Sequence, residues 1–378
     1  MSKSMIRAKR AMLCLLHVFP VKRKKIFFSA YEGKQYACNP KALFLYMRKQ
    51  GLDEGMTVVW EYNGKSAALQ KKGVKTCRHN SLAYFYHIMT SRYVITNSGV
   101  TAAIPLRKEQ VCVNTWHAGG AFKKFGADIS GEMNGTEEYA LGLAAGQTDY
   151  FISSNRFFSE TVSRTLLLER EKILDIGLPR NDIFFDEKRM QRVRSGVREK
   201  YGISEQDYLV LYAPTFRGNS GEDRLVTRDR IDEAFAGAIR EKTGKEPVFF
   251  LRRHYYHHEE ESYSAYINVS AYPDMQDLLA AADMLVTDYS SAMWDFALTG
   301  KPCLLFVPDL EEYLDQRGFY TEPETWPGLL CTSTQMLAQT VRTFDKEEYQ
   351  KKIEDYFSMT GSNESGNGCK KLCQVLFQ

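Results

Sequence analysis

Ala282-Asp283-Met284-Leu285-Val286-Thr287-Asp288-Tyr289-Ser290-Ser291-Ala292-Met293-Trp294-Asp295-Phe296 is the stretch that decides the fold. Residues 284–287 are a short apolar, β-prone run, the pattern of a buried parallel strand. Asp288 ends it, and Ser290 or Ser291 can cap a helix that runs on to Thr299. A strand feeding a helix through two serines aims backbone N–H groups and two hydroxyls at one spot. The helix dipole adds about half a positive charge there, which favours an anion, and a phosphate above all. The plainer alternative is an ordinary N-cap in an α/β domain.

The same alternation extends in both directions. Strands are expected at residues 26–30, 56–61, 74–77, 93–96, 111–115, 150–153 and 173–176, then at 208–213, 247–251, 266–269, 284–287 and 303–307. Helices are expected at 39–49, 81–91, 186–201, 229–242 and 275–282, with closing helical stretches around 334–357 and 369–377. Strands alternating with helices mean mostly parallel sheets. At 378 residues the chain suits two domains, each able to bury a core. We expect a basic arm over residues 1–25, a Rossmann-type domain over 26–185, a second over 186–358, and a flexible link with a terminal helix over 359–378. Two doubly wound domains put their ligand crevices at the carboxyl ends of their strands, facing each other across a cleft.

Composition narrows the class. The chain is 44% hydrophobic and 26% charged, as in globular proteins. Residues 1–25 hold eight cations and no acid; the chain is +3 overall, so the remainder is −5. Its apolar run, residues 11–19, is too short to span a bilayer, and Pro20 with a Lys/Arg cluster follows where a signal peptide needs small residues. Between basic flanks it reads as an amphipathic helix on an anionic membrane surface; the alternatives are a frayed basic terminus or a nucleic-acid contact. The eight cysteines form no C-x-x-C pair, which argues for a reducing compartment without a zinc site.

Candidates for chemistry sit just after strands. Trp116-His117-Ala118-Gly119-Gly120-Ala121-Phe122-Lys123-Lys124 offers a base, close backbone approach and cationic charge, although a lone histidine is often structural. Gly177-Leu178-Pro179-Arg180 places a cation in a first helical turn, unfavourable unless an anion is near. Pro214-Thr215-Phe216-Arg217 is a rigid turn with a hydroxyl and a guanidinium. Arg252-Arg253-His254-Tyr255-Tyr256-His257-His258 invites a metal reading, but two arginines would repel a cation and no acidic partner accompanies the histidines. Basic and hydroxyl groups at strand ends, in a mildly acidic body, suit a diphosphate-bearing small ligand better than a nucleic acid. No G-x-x-x-x-G-K-[ST] loop and no G-x-G-x-x-G after the first strand is present, which removes P-loop and dinucleotide readings.

Together these segments resemble the CDP-glycerol glycerophosphotransferase family, the polyol-phosphate transferases of wall teichoic acid and related polymers. The matching pieces are Asn39-Pro40-Lys41-Ala42, Thr115-Trp116-His117, Gly177 through Asp182 and Tyr212 through Arg217. The series continues with Asp277-Leu278-Leu279, Asp288-Tyr289-Ser290-Ser291, Asp295-Phe296, Gly300-Lys301-Pro302, Asp309 through Tyr313 and Arg317 through Tyr320. After the His, teichoic-acid polymerases usually read Gly-Thr-Pro-Leu-Lys, whereas this chain has Ala118 through Lys123. Arg253 and Tyr255 also stand where the family often has an apolar residue and Pro.

The resemblance implies an α/β, GT-B-like fold of two Rossmann-type doubly wound domains, no obligatory metal and no cofactor. It implies a catalytic base at His117, with His254 at the phosphates. Donor contacts would fall on Ala118, Gly119, Gly120, Ala121, Arg180, Pro214, Thr215, Arg252, Arg253, Ser290, Ser291 and Asp295. The implied donor is CDP-glycerol, or CDP-ribitol, and the acceptor a lipid-linked saccharide or polyol phosphate at the cytoplasmic face of the membrane. A GT-B glycosyltransferase using a nucleotide sugar shares the fold and the diphosphate site, and a non-catalytic membrane-bound scaffold is a reading of a different class.

Overall fold

Successive residues of the central strands are buried on opposite faces, as in parallel sheets covered by helices on both sides. In β1 (Lys22–Ser29), Ile26 and Phe28 join one core and Phe27 the other. In β2 (Thr57–Glu61), Val58 and Trp60 go with Phe28, and Val59 with Phe27. The computed structural model describes residues 1–64, 67–70, 73–121, 123–129, 133–215, 226–227, 230–253 and 265–377. The chain divides into two units, Met1–Asp182 with Gly361–Gln378, and Ile183–Thr360.

The first unit contains α1 (Lys3–Cys14), β1, α2 (Cys38–Lys49), β2, α3 (Ala67–Gln70), β3 (Lys75–Cys77), α4 (Leu82–Thr90), β4 (Ser91–Thr96), β5 (Val111–Asn114), α5 (Gly135–Gly146), β6 (Tyr150–Ser153), α6 (Arg156–Thr165) and β7 (Ile173–Asp175). Its sheet runs β3-β2-β1-β4-β5-β6-β7, with every pairing parallel. The order reverses between β1 and β4, so the first crevice opens at their carboxyl ends.

The second unit contains α7 (Glu187–Tyr201), β8 (Tyr208–Ala213), a short antiparallel pair β9 (Val226–Thr227) and β10 (Arg230–Ile231), α8 (Glu233–Thr243), β11 (Pro247–Leu251), β12 (Ile267–Asn268) and α9 (Met275–Ala281). It continues with β13 (Met284–Thr287), α10 (Ala292–Ala297), β14 (Cys303–Phe306), α11 (Leu310–Arg317), β15 (Leu329–Cys331), α12 (Thr334–Thr343) and α13 (Lys346–Thr360). Its main sheet runs β12-β11-β8-β13-β14-β15, the same winding as the first six strands of the other unit. The short edge strand β15 is not expected from the sequence.

Three local differences from the sequence reading matter. Helix α10 ends at Ala297, and Thr299 N–H closes a final turn on Phe296 O at 2.9 Å. The 361–367 segment is not a flexible link. Arg156 N–H donates to Gly361 O (3.0 Å), Asn363 N–H donates to Ser154 O (2.7 Å), and the Glu364 carboxylate accepts from Leu178 N (3.2 Å) and Asn181 Nδ2 (3.1 Å). Those bonds return the chain to the first unit, where α14 (Gly368–Phe377) buries Leu372, Cys373 and Leu376 with the core around Phe44. The basic N-terminal stretch is also built into this unit. Ile6 and Leu13 of α1 are buried, Arg10 Nη1 donates to Ala102 O and Ile104 O, and Arg107 donates to His17 O (3.2 Å) and Phe19 O (2.9 Å). Met12, Leu15 and Val18 stay outside, Leu15 75% and Val18 79% exposed. Among the described residues no helix is long and apolar enough to cross a membrane.

Asp182 carries the return of the C-terminal helix, because its two carboxylate oxygens accept from Gly368 N (2.8 Å) and Cys369 N (2.9 Å). Removing such a cap costs about 0.5–2 kcal/mol. Asp182→Ala is therefore expected to lower the unfolding free energy by that amount, read as a lower urea midpoint with an unchanged slope; an unchanged midpoint would show that α14 is held by packing alone.

Candidate active site

The first crevice is organised by Asn97, the residue just after β4. Its Oδ1 accepts from Tyr31 N–H (2.8 Å), two residues past the end of β1, and so ties the two walls of the crevice together. Its backbone carbonyl accepts from His117 Nδ1 at 2.8 Å. A carbonyl can only accept, so Nδ1 carries the hydrogen and Nε2 of a neutral ring keeps its lone pair. His117 is half-buried, and its pKa is lowered mainly by desolvation; the Asn97 bond opposes that shift, and the neighbouring Arg180 adds a smaller lowering. The ring is thereby kept neutral around neutral pH, the state a base needs.

The backbone reaching His117 is strained and clamped. Trp116 lies in the left-handed region at φ +52, rare for a bulky side chain. Asn114 Oδ1 accepts its N–H (3.0 Å), Asn39 Nδ2 donates to its carbonyl (3.0 Å) and to Thr115 O (2.8 Å), and its indole stacks on the His117 ring at 4.8 Å. Tyr31 meets the imidazole edge-on at 5.8 Å. Asn39 also accepts Arg180 N–H on Oδ1 (3.0 Å), while Arg180 Nη1 donates to His117 O (2.7 Å) and lies 3.3 Å from Cys38 Sγ. Arg180 is only 7% exposed, so its charge stands beneath the His117 loop. Beyond it Ala118 is half-buried, and Gly119, Gly120 and Ala121 are buried. Ser154 Oγ (2.6 Å) and Asn155 Nδ2 (3.1 Å) both donate to Gly119 O.

The second crevice repeats the device. Asp288, just after β13, is 2% exposed and accepts from Thr215 N–H (2.9 and 3.1 Å to its two oxygens) and Thr215 Oγ1 (3.0 Å), two residues past the end of β8. Thr215 is thus tied to the residue that opens the turn carrying Ser290 and Ser291, just past the paired ends of β8 and β13. Ser290 Oγ accepts from Ala292 N–H (3.3 Å), whereas Ser291, at the N-cap position, makes no side-chain capping bond. Arg252 Nη1 donates to Tyr272 O (2.9 Å), Arg253 N–H donates to Ser270 Oγ (2.9 Å), and both residues are half-buried at the end of β11. Asp295 is buried inside the unit, with Gln276 Nε2 on its Oδ2 at 2.8 Å. His254, Phe216, Arg217 and Phe122 lie outside the described residues. Among the described residues no cluster of three or more His, Cys, Asp or Glu could hold a metal ion.

The sequence reading missed Asn39, Asn97, Asp288 and the Ser154–Asn155 pair as parts of the site. Asn97 and Asp288 share one signal, an amide or carboxylate immediately after the fourth strand of a doubly wound series. From this environment His117 is expected to titrate below the ordinary value of about 6.5, and Arg180→Ala to move the midpoint upward. Proton NMR of the imidazole across pH measures both; a midpoint at or above the ordinary value would contradict the environment described.

The sequence model for CDP-Glycerol:Poly(glycerophosphate) glycerophosphotransferase matches residues 11–378. The chain is 29% identical to the teichoic acid poly(glycerol phosphate) polymerase of Bacillus subtilis (strain 168), covering 100% of this chain and 52% of that protein. It is 28% identical to the protein of the same name from Bacillus spizizenii, covering 98% and 96%. The chain thus spans about half the length of the first relative and nearly all of the second. Ribitol-phosphate primases and polymerases of teichoic acid are also among its relatives. Among solved structures, the wall teichoic acid polymerase TagF superposes with a TM-score of 0.80 at 25% identity, over 98% of this chain and 93% of that one. The fold is accordingly GT-B-like, and the chain belongs to the CDP-glycerol:poly(glycerophosphate) glycerophosphotransferase family.

Proposed function

We propose that the chain transfers glycerol phosphate from CDP-glycerol to a hydroxyl of a lipid-linked cell-wall or capsular polymer precursor and releases CMP. The observation that carries this reading is His117, a neutral imidazole with Nε2 as its unprotonated nitrogen, in a chain whose family carries out that transfer. Nε2 takes the proton of the acceptor hydroxyl as its oxygen attacks the β-phosphorus of the donor. The bond from that phosphorus to the bridging oxygen breaks, and CMP leaves with the electron pair. Charge spread over the transferring phosphoryl oxygens needs fixed positive groups. We assign these to Arg180, Arg252, Arg253 and His254, with Thr215, Ser290, Ser291 and the Ala118–Ala121 backbone as hydrogen-bonding partners of the donor. The chain spacing after His117 matches a loop that a phosphate can approach closely, since Gly119 and Gly120 present no side chain.

The lipid of the acceptor brings the reaction to a membrane. We assign the contact to Met12, Leu15, Val18 and Phe19, beside the cations of residues 1–25 and next to α4, whose Leu82 is 89% exposed. Insertion of these side chains adds to the attraction of each Lys or Arg near an anionic surface, about 1 kcal/mol apiece. The free cysteines suit the cytoplasmic face.

Mass spectrometry of products made from CDP-glycerol and from CDP-ribitol tests the transfer directly: an acceptor gaining one glycerol phosphate with release of CMP is expected, and use of a nucleotide sugar with release of UDP would overturn it. His117→Ala is expected to lower kcat by about 10²–10⁴ with donor affinity nearly unchanged. Retention of near-normal kcat would return this histidine to a structural role. For the membrane contact, Leu15→Glu with Val18→Glu changes two outward side chains without touching the buried Ile6 and Leu13. The double variant should lose binding to anionic vesicles and keep its melting temperature, and equal binding would remove the assignment.

A further inference from the structure

The carboxyl edge of the first sheet holds a second ionisable pair that the proposed chemistry does not use. Register aligns Cys77, Glu61, Ser29, Thr96 and Asn114 in one row across β3, β2, β1, β4 and β5. His117 lies just past this row at the β5 end, and His79 just past it at the β3 end. Glu61 is 1% exposed, bonded to His79 Nδ1 and to the Ser29 hydroxyl. Burial raises its carboxyl pKa, and the bonds from Ser29 and His79 oppose that rise. His79 N–H donates to Asn63 Oδ1 (2.9 Å), and the Tyr84 ring lies 5.3 Å from the imidazole. The His79 side chain remains 27% exposed, and its Nε2 has no partner among the described residues.

The surrounding backbone is shaped around this pair. Tyr31, Glu32 and Gly33 in one turn and Asn80 in another all lie at positive φ. A Cβ at Gly33 would stand 2.9 Å from Glu61 Cγ, so the turn closes directly over the carboxylate. Strained backbone clusters at ligand-binding sites, and the carboxyl edge is where ligands bind in sheets of this kind. The exposed residues Lys34 and Arg78 add positive charge to the same rim, and Glu32 is the one exposed acid in the flanking turn.

One extra proton on the pair puts a hydrogen on Nε2 in either arrangement: as an imidazolium facing a carboxylate, or as a carboxylic acid donating to Nδ1. An anion at Nε2 favours that state, because the ring then lies between two acceptors. Strands are about 4.8 Å apart, so four spacings separate β3 from β5 by roughly 19 Å. The transferring phosphate must sit within bonding reach of the hydroxyl that His117 deprotonates, and it cannot also reach His79. Resting on the transferase reading above, we propose that His79, held by Glu61, is a phosphate subsite for the acceptor, engaging a phosphodiester further along the chain from the reacting hydroxyl. Binding a remote group of this kind lets the enzyme align the acceptor terminus at His117.

Oligo(glycerol phosphate) chains of increasing length, titrated into the full-length protein by calorimetry, test the proposal. Affinity is expected to rise by about tenfold at the length that reaches His79, the worth of one charge-assisted hydrogen bond. His79→Ala should abolish that step and Glu61→Gln should weaken it, with CDP-glycerol affinity and the circular dichroism spectrum unchanged. His79→Gln, which keeps a hydrogen-bonding group against Glu61, takes the place of the alanine variant if that one does not fold. An equal step in wild type and variant, no step at any length, or the same step with uncharged glycerol oligomers would overturn the subsite. Binding is read without turnover, so a protein that released no CMP would contradict the transferase reading while this measurement still decided the subsite.

Discussion

A single polar side chain closes the crevice of each unit, and the rest of the site is built on that closure. In a doubly wound sheet the chain leaves the first and fourth strands in opposite directions, which opens a gap where ligands bind but leaves its walls unconnected. Asn97 bridges the gap in one unit and Asp288 in the other, each from the position just after the fourth strand to the N–H two residues past the first. Both side chains are buried, so the bonds form in a medium where leaving them unmade is costly. The two units share a winding and also share this device.

From that common frame the units diverge in chemistry. The amide of Asn97 is neutral, and its backbone carbonyl fixes the tautomer of His117 without adding a negative charge that would raise the imidazole pKa. Asp288 instead spends its charge on the N–H and hydroxyl of Thr215, holding a turn that we assign to the donor. Arg180 acts on His117 twice, by binding its carbonyl and by disfavouring its protonation. Asn39 joins the two residues, since one side chain accepts from Arg180 N–H and donates to the carbonyls before His117.

The sheets were legible in the sequence because their strands are short apolar runs buried on both faces, with Tyr150–Ser153, Tyr208–Ala213, Pro247–Leu251 and Met284–Thr287 matching the expected bounds. His117 was legible because the histidine, paired glycines and lysines stand together. The clamp around it was not, since Asn39 and Arg180 are 141 residues apart, and Glu364 and Leu178 are 186 apart, beyond any local pattern. The Gly- and Ser-rich segment before α14 looks like a linker by composition, yet small residues also free backbone groups to bond to the first unit. The N-terminal helix shows the same limit: its apolar residues are visible in the sequence, but which of them face the core depends on Ala102, Ile104 and α5.

In the transfer we propose, His117 works as a base because the fold keeps it neutral. The pH dependence of kcat/KM for CDP-glycerol-dependent transfer reports the free enzyme's essential base. Its acid limb should fall at the same pH as the His117 midpoint measured by NMR, and should move up with that midpoint in Arg180→Ala. An acid limb that stays in place while the imidazole midpoint moves would contradict the account, and would place the base elsewhere.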